Sequence, residues 1–433
     1  MANIEAEYKK ALKYLYGMSK FGIKLGLKST KKLLYLAGNP EKDMKIIHIG
    51  GTNGKGSVCS YITKILTEAG YNVGTFTSPH LDCFSERITI NNIQIPRKNV
   101  ISLVKKIKFL TKSMDMQPTF FEIITVMALL YFKEHHVDFV VLEVGMGGRF
   151  DATNATNNIL SAITNVEKDH TDFLGENIRE IAFEKSGIIK KNSICVTTAY
   201  NEAIDVIKKQ CNKKKTKLVS VIEDNIKIKK YDVSGQIFKF NDYLLKTKIL
   251  GKKQSVNAIL ALTISEELKK MGFKIKKQHI INGIQKTKWP GRLDIIKKNP
   301  FVILDCAHNH NAMCYLKDDI KKLFDFDRLI SIIGIMSNKD KVSMLSEIIP
   351  ITDIAIFTKP KLKRSENPVI LKELSKSDVK KYFIINDVKK AVKKALDISN
   401  KKDLILITGS IFTVSEARRY LIKNIKYDEL IAM

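Results

Sequence analysis

Short apolar runs alternate with longer stretches of helical period along nearly the whole chain, which predicts strands interleaved with helices and a parallel α/β architecture. Lys45–Ile49, Val73–Thr77, Phe139–Glu143, Leu160–Ile163 and Ile194–Thr198 read as strands of a first series. Between the first two, Val58, Ile62, Ile65, Leu66 and Ala69 mark one helix face, closed by Gly70. Phe120–His135 is a second, more apolar helix. Ile226–Leu250 breaks into short alternating pieces around a Ser-Gly turn at Ser234, which suits a small hairpin region before a helix over Ser255–Met271. A fresh series follows, with strands over Phe301–Asp305, Leu329–Gly334, Ile354–Thr358, Tyr382–Ile385 and Leu404–Thr408. Trp289–Pro300, with the only tryptophan, two prolines and a Lys-Lys-Asn run, reads as a linker. We place the boundary near Lys297, which gives domains over residues 1–296 and 297–433.

Length supports that division, since 433 residues exceed what one core usually serves. No apolar run reaches the roughly 18 residues of a membrane span, and the first residues, with Glu5, Glu7 and Lys9, lack the apolar core of a signal peptide. A soluble, cytoplasmic protein is expected. The six cysteines are scattered with no Cys-x-x-Cys pair, so they read as small core or loop residues in a reducing compartment. An excess of 74 basic over 45 acidic side chains gives a net charge of +29. The lysines are spread throughout without an interleaved aromatic stripe, so solvated faces account for them better than nucleic acid or a membrane surface.

Candidate chemistry starts at Gly51–Ser57, GTNGKGS, set between the first strand and the first helix. Glycines allow successive backbone N–H groups to face one anion, Lys55 can reach outer phosphates, and the helix start adds its positive end. The spacing departs from the usual P-loop because Gly56 separates lysine from serine. Bound phosphates call for a divalent cation, so ligands are expected at neighbouring strand ends. Ser78, Glu143 and His170 stand there, and Glu143, closing a Val-Val-Leu run, is the strongest because burying an acid there is costly without a cation. Lys185, on a helix ending at Gly187, reads by pattern alone as a surface lysine. Arg292 and the run Asp305–Asn309 flank the linker and suit an interdomain cleft. Gly409-Ser410 offers a further turn where a carboxylate could sit.

Taken in order, GTNGKGS (51–57), TSPHL (77–81), TFFE (119–122), EVGMGGRFDATN (143–154), DHTDFLG (169–175), EKSGI (184–188), WPGR (289–292) and DCAHN (305–309) resemble the folylpolyglutamate synthases and bifunctional dihydrofolate synthases, relatives of the Mur ligases. The resemblance runs from Phe21–Leu27 to Gly409-Ser410. It implies a P-loop central domain of Mur-ligase type with a mainly parallel sheet, followed by a smaller Rossmann-like α/β domain on the glutamate side. The implied reaction is ATP-dependent: a folate carboxylate attacks the γ-phosphate, an acyl phosphate forms, and the amine of L-glutamate displaces phosphate. Carried over by position, Gly54, Lys55, Gly56, Ser57, Asn257, Arg292 and Asp305 would contact ATP. Ser78, Glu143 and His170 would bind magnesium, and a carbamylated Lys185 would help His170 hold a second ion. Thr119, Phe120, Phe121, Glu122, Phe150, Asp151 and Ala152 match the pterin site, and His308 and Ser410 would lie near glutamate. Lys55, His170 and Lys185 would be the catalytic set.

Three departures stand out: Lys253 where histidine is frequent, Cys306 where glycine is usual and would leave a wider glutamate pocket, and Asn338 where aspartate is common. The expected partners are small molecules, namely ATP, L-glutamate and dihydropteroate or folate, acting on a monomer without nucleic acid or membrane. A Mur-type ligase acting on a nucleotide-sugar peptide is the alternative; it would normally bring a further N-terminal domain, and the P-loop already begins by Gly51. A P-loop switch or nucleic-acid-stimulated ATPase is a third class, separable by glutamate-dependent ADP release.

Overall fold

The first-half strands are apolar without alternation because both faces of their sheet are covered. In the computed structural model, which describes residues 2–22, 26–375 and 381–422, this sheet has eight strands. They are β1 (Ile46–Gly50), β2 (Val73–Phe76), β3 (Ile88–Ile90), β4 (Ile93–Gln94), β5 (Phe139–Glu143), β6 (Leu160–Ile163), β7 (Ile194–Thr197) and β8 (Lys217–Ser220). Their order is β4-β3-β2-β5-β1-β6-β7-β8. The β2–β3 and β3–β4 pairings are antiparallel and the others parallel. β1 and β5 are buried along their whole length. One face carries Ala2–Gly17, Lys28–Leu36, Arg97–Thr111 and Phe120–Glu134, none of the first three picked out from the sequence; the other carries Lys55–Glu68 and Lys253–Lys270.

The expected hairpin region is an antiparallel sheet of β9 (Lys227–Asp232), β10 (Gly235–Phe240) and β11 (Tyr243–Thr247). β12 (Asp294–Lys298), β13 (Phe301–Leu304), β14 (Leu329–Ile333), β15 (Ile354–Phe357), β16 (Lys381–Ile384) and β17 (Leu404–Thr408) form a further sheet, ordered β12-β13-β17-β14-β15-β16 and parallel except at β12. Trp289–Pro300 is therefore not linker throughout: a division between residues 296 and 297 falls inside β12. Lysines at its end and Pro300 in the following turn give the sequence a linker's composition, while Asp294 to Lys298 pair with β13 across an irregular register.

Of the stretch Phe21–Leu27 that opens the family resemblance, residues 23–25 lie outside the described residues. Among the described residues no helix is long and apolar enough to cross a membrane. Five cysteines are buried and Cys314 is half-buried, none in a disulfide. The parallel register places the ends of β1, β2, β5 and β6 side by side, with Ile49 opposite Glu143 and Gly50 opposite Ile163. Chemistry carried just past those ends converges on one crevice.

Candidate active site

The loop leaving β1 turns into the helix Lys55–Glu68 at Gly54, whose φ of 84° is left-handed and free of strain only for glycine. A Cβ there would also stand 2.4 Å from Asn257 Oδ1, so the loop and the helix Lys253–Lys270 depend on that glycine. Neighbouring side chains brace the loop backbone: Asn53 N donates to Asn165 Oδ1 at 2.8 Å, and Thr164 Oγ1 donates to the Asn53 carbonyl at 2.6 Å.

Two lysines converge on this loop. Lys55 Nζ donates to the Gly51 and Thr52 carbonyls at 3.2 and 3.0 Å, and Lys185 Nζ donates to the same Gly51 carbonyl at 3.0 Å. Lys185 is 4 % exposed, which corrects the surface reading. Its helix, Ile178–Ser186, buries Ile181, Ala182 and Lys185 on one face. Burial, followed by the Lys55 charge, lowers the Lys185 pKa to about 7. Lys55 and Lys185 therefore bring two amines to one carbonyl, with Asp169 opposing the fall in the Lys185 pKa and Glu143 feeling the Lys55 charge.

Glu143 ends β5 beneath the loop and is buried. Burial raises its pKa to about 7 against the pull of Lys55, and one oxygen, Oε2, accepts from Ser78 N at 3.0 Å. Ser57 Oγ is buried with no hydrogen-bond partner. An orphaned hydroxyl and a buried carboxylate beside a phosphate loop are the donor set a hard divalent cation takes. His170 lies past β6 at a left-handed φ of 54°, with burial holding its ring below its ordinary pKa. Asp169 beside it receives Lys339 Nζ at 2.5 Å from the other sheet's side of the cleft.

Gly54, Asn257, Arg292 and Asp305 line one cleft together with Tyr315 and Lys253. Asp305 is buried and accepts from Leu293 N and Ala307 N at 2.9 and 2.8 Å, which orients the turn carrying Arg292. Lys253, one of the departures, pairs with Glu223 at 2.7 Å and lies 4.8 Å from the centre of the Tyr315 ring. Cys306, another departure, is buried in an apolar cluster with Leu81, and a Cβ on Gly291 would meet its sulfur at 2.9 Å.

The residues matched to the pterin side divide. Phe121 packs on Phe76, ring centres 5.7 Å apart, and a Cβ on Gly145 would meet it at 2.5 Å. Asp151 is buried, caps the short turn Ala152–Ala155, and accepts from Met146 N at 2.9 Å. Phe150 is partly exposed, with the Arg149 guanidinium 4.3 Å from its ring centre. Phe120 instead stacks on Tyr16. Thr119 and Glu122 bind each other in a capping box, and the second oxygen of Glu122 accepts from Thr30 at 3.0 Å. Ser410 likewise caps the helix Ile411–Leu421 and is buried. His308 lies 3.7 Å from Asp169.

Further residues join these parts: Asn309 belongs to the run that the sequence places at the cleft, whereas Arg418, Asp82, Asp294 and His48 were missed. Asn309 Nδ2 donates to Asn53 Oδ1 at 3.0 Å, tying the loop after β13 to the glycine-rich loop after β1. Arg418 donates to Asp82 Oδ2 and Asp294 Oδ2 at 3.0 and 2.7 Å. His48, fully buried in β1, lies 2.7 Å from Thr153 Oγ1, which in turn donates to Asp151. A histidine inside the strand feeding a phosphate loop was the available signal for that relay.

With this geometry in hand, comparison with known proteins is specific. Residues 49–265 match the Mur ligase middle domain, and residues 291–411 match the Mur ligase glutamate ligase domain. The Bacillus subtilis (strain 168) protein named dihydrofolate synthase/folylpolyglutamate synthase is 34 % identical over 427 residues, covering 96 % of this chain and 99 % of its own. E. coli FolC, solved in complex with DHPP and ADP, superposes with a TM-score of 0.84 at 28 % identity, covering 94 % of this chain and 96 % of its own. The bifunctional folylpolyglutamate synthase/dihydrofolate synthase solved with Mn, AMPPNP and L-glutamate gives 0.82 at 27 % identity, covering 95 % and 98 %.

Proposed function

The chain belongs to the dihydrofolate synthase/folylpolyglutamate synthase family of Mur ligases, and from that premise we propose how its residues perform the ligation. It is an ATP-dependent ligase that joins L-glutamate to dihydropteroate, to folates or to both, releasing ADP and phosphate. The reaction needs an inert carboxylate made into an acyl donor while two anions approach each other. The convergence of Lys55 and Lys185 on the Gly51 carbonyl is the observation that carries this reading. Lys55 neutralises the transferring phosphoryl group, and the loop and Gly54 turn hold it in line. Asn257, Arg292 and Asp305 seat the rest of the nucleotide across the cleft.

Ser57, Ser78 and Glu143 would hold one divalent cation, and His170 with a carbamylated Lys185 a second; such ions supply charge neutralisation between phosphate and carboxylate. Buried and with its pKa lowered to about 7, Lys185 offers a substantial neutral fraction near pH 7 that carbon dioxide can convert to an anionic oxygen ligand, with the proton lost to solvent. Phe121 and Asp151 orient the pterin end, Asp151 being itself fixed by Thr153 and His48. His308 stands where it can meet the incoming glutamate. Thr119, Glu122 and Ser410 shape these walls through the helices they cap.

The test is isotopic. Acceptor labelled with oxygen-18 in its carboxylate is incubated with magnesium-ATP and glutamate, and label is expected in the released phosphate. Unlabelled phosphate accompanied by product would exclude the acyl phosphate. Running dihydropteroate and tetrahydrofolate in parallel assigns the acceptor, and carbon-13 NMR with labelled bicarbonate looks for the carbamate on Lys185.

A further inference from the structure

Away from the proposed ATP and magnesium ligands, helices that follow β13 and β14 bring three metal-binding side chains together. His310 and Cys314 stand one turn apart on the helix His310–Leu323, and Glu347 faces them from the helix Lys341–Ile348, which packs against it. One ligand atom from each lies within 4.8 Å of the other two. The Cys314 Sγ to His310 Nε2 distance is 3.6 Å. Tetrahedral zinc with bonds of about 2.3 Å to sulfur and about 2.05 Å to nitrogen places those two atoms about 3.5 Å apart.

The imidazole is also prepared from behind. His310 Nδ1 lies 3.1 Å from the Ser343 carbonyl oxygen, so that nitrogen carries the proton and Nε2 keeps its lone pair toward the thiol. A backbone carbonyl in that position fixes tautomer and ring orientation in zinc-bound histidines. Glu347 has one oxygen on Lys317 at 2.5 Å, and its carboxylate also reaches the Cys314 thiol.

We propose that His310, Cys314 and Glu347 form a binding site for a zinc-class divalent ion, with water as the fourth ligand. Binding replaces the Cys314 S–H bond with a metal–sulfur bond and releases the proton to solvent; no electron is transferred. Thiolate, imidazole and carboxylate together select a borderline-soft ion over magnesium. The site's position gives it a consequence. His308 and Asn309 immediately precede the first helix and Lys339 precedes the second, and all three approach Asp169 across the cleft. An ion between the helices fixes the spacing of those contacts.

Cobalt(II) titrated into the purified full chain, with magnesium and a non-hydrolysable ATP analogue saturating, is expected to give a thiolate-to-cobalt charge-transfer band at one equivalent, displaced by zinc. Cys314→Ser should abolish the band. His310→Ala should weaken binding more than about 100-fold, since loss even of an outer-shell partner costs 10- to 100-fold. Both side chains are partly exposed, and an unchanged circular dichroism spectrum establishes that the variants fold. No band in the wild type overturns the proposal, and so does a band that survives Cys314→Ser, which would place the metal on another cysteine.

Discussion

The two sides of the crevice are built differently. Its floor, at the ends of β1, β5 and β6, is held by backbone and by buried groups close to their strands: Glu143 on Ser78 N, Asn53 on Asn165, Lys55 and Lys185 on one carbonyl. Its rim is held by side chains that reach across from the β12–β17 sheet and its helices, Lys339 to Asp169, Asn309 to Asn53 and Arg418 to Asp82. A floor of this kind is preorganised, and on the proposed function its charges would act on the reaction without reorganising. A rim of side-chain pairs can part and re-form, as a site that admits and releases substrates requires. Floor changes should therefore fall on turnover and rim changes on binding and closure.

The largest expected effect tests the floor. Lys185→Ala should lower kcat by about 1000-fold, the scale of losing a preorganised charge contact, while Lys185→Glu should recover about a tenth or more of wild-type turnover by restoring an anion. Equal activity of both variants and wild type, measured as glutamate-dependent ADP release, removes the carbamate. Next comes Glu143→Ala, expected to raise the magnesium requirement and cut kcat by about 100-fold. An unchanged magnesium titration takes Glu143 out of the ligand set.

At the rim, Lys339→Ala leaves Asp169 a nearly buried carboxylate without its main partner. Burial raises the Asp169 pKa, but Lys339, His308 and His170 outweigh it and hold the carboxyl well below its ordinary value. We expect KM for ATP or glutamate to rise about 10-fold with kcat reduced by less, a cost of about 1.4 kcal/mol. A fall confined to kcat would erase the distinction between floor and rim.

The same division explains what could be read from the sequence. The strands and the glycine-rich turn between β1 and its helix were legible because their information is local: apolar runs, a glycine turn and a helix start within a few residues. Glu143 was legible as a buried acid at a strand end because an acid ending a buried run is locally anomalous; its place in a metal's ligand set is the proposal that the magnesium titration tests. Lys185 was misread by pattern although Ile181, four residues earlier, shares its face, a spacing that would have placed the lysine inward. Lys339 and Asp169 are 170 residues apart in sequence, and nothing local to either predicts the other. β12 was hidden because an edge strand pairs on one side only and tolerates the lysines and nearby proline that read as linker.

The smallest effect on activity, and the finest test of the floor, is its response to acid. His48 is fully buried, and burial, helped by Lys190, lowers its pKa to about 3. Its value in the unfolded chain is about 6.5. Between those values the unfolded chain takes up a proton that the folded chain refuses, so this contribution to stability is complete above pH 6.5 and is lost as pH falls toward 3. The slope from this group approaches about 1.4 kcal/mol per pH unit in the middle of the window. His48→Gln should lower stability at neutral pH by about 1–2 kcal/mol while flattening that slope. It should leave the magnesium titration unchanged, because His48 acts through Thr153 on Asp151 rather than on the phosphate loop. Urea unfolding at pH 7.5, 6, 5 and 4.5 checks this, and parallel slopes for the two proteins would show that His48 titrates like an exposed histidine and that the floor is wetter than its packing implies.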